Sequence, residues 1–216
     1  MLLKQMQQWS AVYGYTKFNL VGHSQGGPTA RYVAGVAPSM VASVSTVSSP
    51  HDLSGGGGTS GAIAYLANST TLANFLGTAL SWVSGHPELP QDDAALQAWA
   101  RNTPAFNARF PAGQPSVYCG QGAEYANGMY FYSVAGNKPK TNILDPSDLA
   151  MTVESGYPGD GVVPVCSAHW GKVLRDDYPW NHLDEINQVF GLIGVMAPSP
   201  VAFYRTHANR LKLLGI

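Results

Sequence analysis

Phe18-Asn19-Leu20-Val21-Gly22-His23-Ser24-Gln25-Gly26-Gly27-Pro28 decides the fold. Phe18 to Val21 reads as a short buried strand halted at Gly22, and Pro28 stands where the first turn of a helix tolerates proline. Between them lies a Gly-x-Ser-x-Gly pentapeptide. Alone it is weak, since roughly 0.2 such matches arise by chance in a chain of this size. Its flanks carry more weight. A strand running in and a helix running out is what a nucleophile elbow demands, with the serine held on a strained turn. Glycines two before and two after Ser24 would remove side chains that crowd that turn. The N–H of Gln25, at the helix start, would face a developing oxyanion. The plainer alternative is an ordinary glycine-rich turn.

Working outward, Leu2, Leu3, Met6, Trp9, Val12 and Tyr13 form one apolar stripe of a helix over 2–13, ended by Gly14. Arg31 to Ala37 continues the helix after the elbow, and the β-branched run Val41 to Val47 reads as a second strand. Helix, strand, helix, strand is the rhythm of a parallel α/β sheet. Strands are expected again at 129–134 and 171–174. A last helix is capped by Ser199, starts at Pro200 and sets Val201, Tyr204, Ala208 and Leu211 on one face. Residues 55–58 are four glycines, and the uncharged helix-spaced stretch 62–83 reads either as core or as a mobile apolar cover. No repeat or domain boundary interrupts residues 1–216, which read as one domain.

Composition narrows the function. Charged residues make up 12% of the 216 positions and net charge is −1, about half the roughly 25% charge usual in globular chains. With 45% apolar residues the chain is not disordered. It has no basic field to hold nucleic acid and no apolar run of membrane-spanning length. Met1 to Gln5 lacks the apolar core and cleavage site of a signal peptide. Cys119 and Cys166 are either two buried thiols or one disulfide; the latter would close a loop of roughly 48 residues, worth about 4 kcal/mol, and would imply an oxidising compartment.

A serine nucleophile needs a base, and the base needs an orienting carboxylate. On this fold the chain order is Ser, then Asp or Glu, then His. Asp160 sits in the tight turn Gly159-Asp160-Gly161 before Val162-Val163, and His182 in the polar loop Trp180-Asn181-His182-Leu183-Asp184. Ser24–Asp160–His182 is therefore favoured, with other pairings open, since His169 and His207 also follow Asp160. His207 reads as a satisfied helix histidine, and His23 as packing beside the elbow.

These stretches resemble the secreted bacterial true lipases of the Pseudomonas and Burkholderia type. The elbow, Gly159-Asp160-Gly161-Val162-Val163, Asn181-His182-Leu183-Asp184-Glu185-Ile186-Asn187-Gln188, Arg205-Thr206-His207-Ala208-Asn209-Arg210-Leu211-Lys212, Leu144-Asp145-Pro146-Ser147-Asp148 and Tyr118-Cys119-Gly120 are similar to that family. The resemblance implies an α/β-hydrolase fold: a mostly parallel sheet flanked by helices, with a helical lid inserted at about 52–115. It implies a carboxylic ester hydrolase of the triacylglycerol lipase kind, acting through an acyl-enzyme on Ser24 with Asp160 as acid and His182 as base. It further implies a structural Ca²⁺ held by Asp145, Asp184 and the backbone carbonyls of Gln188 and Leu192, a Cys119–Cys166 disulfide, secretion and a lipase-specific foldase.

The sequence also departs from that family. The strand ending in a His-Gly pair, whose next residue gives a second oxyanion N–H, is not found ahead of the elbow helix. The expectation is therefore a sheet without its N-terminal strands, Gln25 as the one oxyanion donor, and a bare edge open to self-association. Asp52-Leu53-Ser54 also differs from the family's usual basic and glycine pair, which leaves lid geometry open. A truncated, non-catalytic hydrolase-like fragment and a polyester or thioester hydrolase are the competing readings.

Overall fold

The computed structural model describes residues 1–53, 101–145, 148, 158–188 and 190–216. The glycine run at 55–58, the expected helices within 62–83 and most of the lid expected at 52–115 lie outside the described residues.

Four strands run parallel in the spatial order β1 (Phe18–His23), β2 (Val41–Val47), β4 (Met129–Gly136) and β5 (Lys172–Tyr178). A short β3 (Tyr125–Ala126) lies antiparallel on the start of β4. Asn127 and Gly128 join the two with φ of 53° and 78°, the left-handed pair that Asn-Gly supplies to a tight hairpin. That dipeptide was a hairpin signal our sequence reading did not use. β2 is buried at every position, as expected for a parallel strand covered on both faces. One side of the sheet packs Leu20, Val41, Val44, Met129 and Phe131 with Met6, Ala30, Val33, Ala34 and Trp170.

Helices α1 (Leu2–Tyr13) and α2 (Gly26–Val36) flank β1, followed later by α3 (Thr103–Arg109) and the terminal α4 (Pro200–Leu213). Gly14 closes α1 in the left-handed conformation, as expected. The α1 stripe is only partly used: Met6 is fully buried and Leu2 and Leu3 pack on the core, while Val12 and Tyr13 stay exposed.

Two elements differ from expectation in ways that shape the site. β1 does not stop before Gly22. It stays in register with β2 through Gly22↔Thr46 and His23↔Val47, because ladder pairing outweighs the weak strand preference of one glycine. The chain therefore reaches the serine straight from the sheet. On α4 the buried residues are Pro200, His207 and Leu211, whereas Val201 and Ala208 face outward. His207 turns the helix: its Nε2 lies 2.7 Å from Ser45 Oγ, and its ring stacks on Phe203 and meets Tyr132 edge-on. The helix N-terminus is as expected, with Ser199 Oγ accepting from Ala202 N–H.

Burial, reinforced by Arg210, draws the His207 imidazole down to about 4. The folded chain then resists a proton that the unfolded chain accepts from about pH 6.5 downward, so this histidine stabilises the fold at neutral pH and the contribution fades as pH falls toward 4. We expect the stability gap between the parent and His207→Gln to narrow over that window by roughly 3 kcal/mol. Urea unfolding at pH 7.5, 6, 5 and 4 checks it, and a gap constant with pH would reject it.

Candidate active site

Ser24 follows β1 without a connecting loop. Its φ is +53°, a left-handed conformation uncommon outside glycine and a mark of functional strain. The turn is pinned by Ser24 N–H donating to Val47 O at 3.0 Å and Gly27 N–H donating to Ser24 O at 3.1 Å. α2 begins at once, with Gln25 as its N-cap residue. The elbow's two glycines are not equivalent. A Cβ on Gly22 would lie 2.4 Å from the carbonyl carbon and oxygen of Gly26, whereas one on Gly26 meets no heavy atom of the described residues within 4 Å. The expectation that both glycines relieve crowding thus holds for Gly22 and fails for Gly26. The crowded residue on the helix side is Gly27, whose Cβ would sit 2.2 Å from Ser49 Oγ.

Asp160 and His182 meet beside His23, the residue that precedes Ser24. His182 Nδ1 donates to Asp160 Oδ2 at 2.6 Å, and both side chains are essentially without solvent exposure. The other oxygen, Asp160 Oδ1, accepts the N–H groups of Val162 at 2.8 Å and Val163 at 2.7 Å. Burial by itself would raise the Asp160 carboxyl. The neighbouring His182 charge, its hydrogen bond and the two backbone donors outweigh that and hold it below the ordinary carboxylate range. His182 N–H also donates to Asp160 O at 3.0 Å, so the two residues are tied twice. His182 Nε2 is buried with no hydrogen-bond partner. The Ser24 hydroxyl forms no bond to it here, a contact that in ligand-free sites often tightens only on binding.

Behind the base lie two carboxylates to which the sequence reading assigned no role. Glu185 is fully buried; its Oε1 accepts from Gly136 N–H at 2.8 Å and from the Ser48 hydroxyl. Burial and the charge of Asp160 push its carboxyl well above the ordinary range. Asp148 accepts from the N–H groups of Thr141 and Asn142, each at 2.8 Å, and from Asn181 Nδ2 at 2.8 Å. It thereby staples the Asp145 loop to the loop carrying His182. Asp184 and Asp145 are buried in the same region. Asp184 Oδ1 has no hydrogen-bond partner, and burial together with the negative Asp145 and Asp148 drives its carboxyl up to about 6.

A family model described as the alpha/beta hydrolase fold matches residues 2–115. The triacylglycerol lipase of Vibrio cholerae serotype O1 is 43% identical over 226 aligned residues, covering all of this chain and 72% of its own length. That of Pseudomonas fragi is 37% identical over 239 residues, covering all of this chain and 80% of its own. The chain belongs to the triacylglycerol lipases of the α/β-hydrolase fold. It is a lipase-like ester hydrolase. Among solved structures, the mature Bacillus licheniformis lipase superposes with a TM-score of 0.51 at 20% identity, over 84% of this chain and 64% of that one, which bears on the fold alone.

In this hydrolase His169 and His51 serve other contacts. His169 bonds Gly120 O at 3.0 Å and Asp176 at 3.1 Å, beside the disulfide that joins Cys119 to Cys166. His51 stands against a buried arginine: Arg31 Nη1 lies 3.2 Å from its Nδ1, and the guanidinium also covers Trp170 and reaches Asn107 on α3. Among the described histidines, His23 is the one that touches His182, through its main-chain oxygen at 2.9 Å. Among the described residues no helix is long and apolar enough to cross a membrane.

Proposed function

We propose that this chain hydrolyses acylglycerol esters through an acyl-enzyme on Ser24. The observation that carries the reading is the buried His182–Asp160 pair, with an unpartnered Nε2, in contact with His23, the residue before a strained serine at the end of β1. The Ser24 hydroxyl attacks the ester carbonyl while His182 Nε2 takes its proton. Asp160 holds Nδ1–H, which fixes the tautomer and stabilises the imidazolium that forms. The N–H of Gln25, at the start of α2, faces the oxyanion. His182 then returns the proton to the leaving alcohol, and a water repeats the sequence to free the acid. A fluorophosphonate probe tests this directly, because only an activated serine reacts. Labelling confined to Ser24 supports the reading, and an unlabelled chain rejects it.

A Ca²⁺ ion on Asp145, Asp184 and the carbonyls of Gln188 and Leu192 is part of the proposal. The donors are hard oxygens, which suit calcium. The lone buried Asp184 Oδ1, in a carboxylate made costly to ionise by burial and then by its acidic neighbours, fits a cation. Bound there, the ion would neutralise the cluster and brace the His182 loop without entering the chemistry. EDTA is expected to lower Tm by several degrees, and Asp184→Asn to abolish that sensitivity. An unchanged Tm in excess chelator, with no calcium by metal analysis, would discard the site.

Secretion is supported by the Cys119–Cys166 disulfide, which suits an oxidising compartment. A lipase-specific foldase is carried from the resemblance. Among the described residues β1 is paired on the β2 side alone, which favours strand addition or self-association at its other edge.

A further inference from the structure

We propose that His23 is a positioning residue for the base: from the end of the strand that delivers the nucleophile, it grips His182 by that residue's own main-chain carbonyl. This rests on the reading of Ser24 and His182 given above. His23 Nε2 lies 2.9 Å from His182 O. A carbonyl oxygen can only accept, so the ring nitrogen is the N–H donor. The same nitrogen is 3.4 Å from Glu185 Oε2, and the two imidazole rings stand 4.4 Å apart. Polar atoms of His23, His182 and Glu185 all lie within 4.8 Å of one another.

The need for such a grip follows from how the two reacting groups are held. Ser24 is fixed by the sheet, through β1 and the bond to Val47 O. His182 sits on a loop, 159 positions from His23 along the chain, and helical order beyond it is one short turn at Asp184–Ile186. Asp160 O holds the peptide on the amino side of His182, and Asp160 Oδ2 orients the ring. The peptide on the carboxyl side is held at its N–H, that of Leu183, by Asn181 Oδ1 at 2.8 Å, and at its oxygen by His23. Remove the His23 donor and that oxygen is released, so the peptide can tilt about the Asp160 and Asn181 contacts and carry Nε2 away from Ser24. Displacement of a reacting group by about 1 Å can cost 10²-fold.

Two features suit His23 to the task. Burial and the adjacent His182 keep its ring neutral, its pKa drawn down to about 3, so it adds no charge beside an imidazolium that must form during turnover. Glu185 Oε2 lies against the same ring nitrogen, and Glu185 is itself fixed by Gly136 N–H and Ser48. Because His23 and Ser24 are consecutive, any shift of the elbow moves nucleophile and grip together.

The test compares His23→Met with His23→Gln, side chains of similar length of which glutamine alone keeps an N–H donor. With a soluble p-nitrophenyl butyrate substrate, His23→Met is expected to lower kcat about 30- to 100-fold with KM within about twofold of the parent. His23→Gln is expected to stay within about threefold of the parent in kcat, and the rate of fluorophosphonate labelling of Ser24 should follow kcat in both. Should His23→Met fail to fold, His23→Gln decides alone: a folded variant within threefold supports the grip, and a larger drop overturns it. His23→Met at parental kcat, or both variants equally impaired at parental Tm, would also overturn it. A parent chain that takes up no probe would overturn the Ser24 reading itself, and this inference with it.

Discussion

Ser24→Ala is expected to abolish hydrolysis of p-nitrophenyl esters, and His182→Ala and Asp160→Asn each to lower kcat by about 10⁴-fold. The three effects have different origins. Alanine at 24 removes the atom that forms the acyl-enzyme. Alanine at 182 removes the proton acceptor. Asparagine at 160 retains an oxygen that can still accept from Val162 and Val163 N–H, so the acid turn should keep its shape. Its amide would present N–H toward His182 Nδ1, which now has to accept, and the imidazole is driven into the tautomer with hydrogen on Nε2. A nitrogen bearing hydrogen cannot take the serine proton. Because the residues act as one unit, Ser24→Ala combined with His182→Ala should be no slower than Ser24→Ala alone. Near-parental turnover in His182→Ala would break the triad assignment, and additive losses in the double variant would show that the groups do not act together.

How much of this site could be read from the sequence depended on how local each signal is. The elbow is a contiguous segment, and strand, serine and helix announce themselves within eleven residues, Phe18 to Pro28. Asp160 is legible because a Gly-Asp-Gly turn folds its own backbone N–H groups onto the carboxylate. Glu185 was different. Its partner Ser48 lies 137 positions away, and nothing around it in the sequence marks a glutamate about to be buried. Asp148 is held by Asn181 across 33 positions, and the segment containing it was matched to the family without a role. The buried face of α4 was misread for a related reason. Helical spacing selects apolar residues, but Ser45 on β2 offered His207 a hydrogen bond, and a buried polar group with a partner competes well against an exposed valine.

Gly22→Ala is expected to lower kcat by at least 100-fold and to destabilise the fold by about 2–4 kcal/mol, while Gly26→Ala leaves turnover within about twofold of the parent. Sequence symmetry about Ser24 argues for equal effects, and the structure argues against them. At Gly22 the added methyl would lie 2.4 Å from Gly26 C and O and 2.6 Å from Gly27 N. All of these are backbone atoms at the first turn of α2, so no side chain can swing aside. Relief requires the helix to back away from β1, and that motion shifts Gln25 N–H and the Ser24 hydroxyl relative to His182, on which the proposed chemistry depends. At Gly26 the methyl enters open space on a residue that is already helical. Alanine is the better helix former by roughly 1 kcal/mol in a helix interior and by less at a first turn, so stability should hold or rise slightly. Thermal unfolding and esterase kinetics on the two variants check both halves. Equal losses would mean that the elbow needs glycine two residues after Ser24 for access by substrate or by another segment, and not for the packing of the turn.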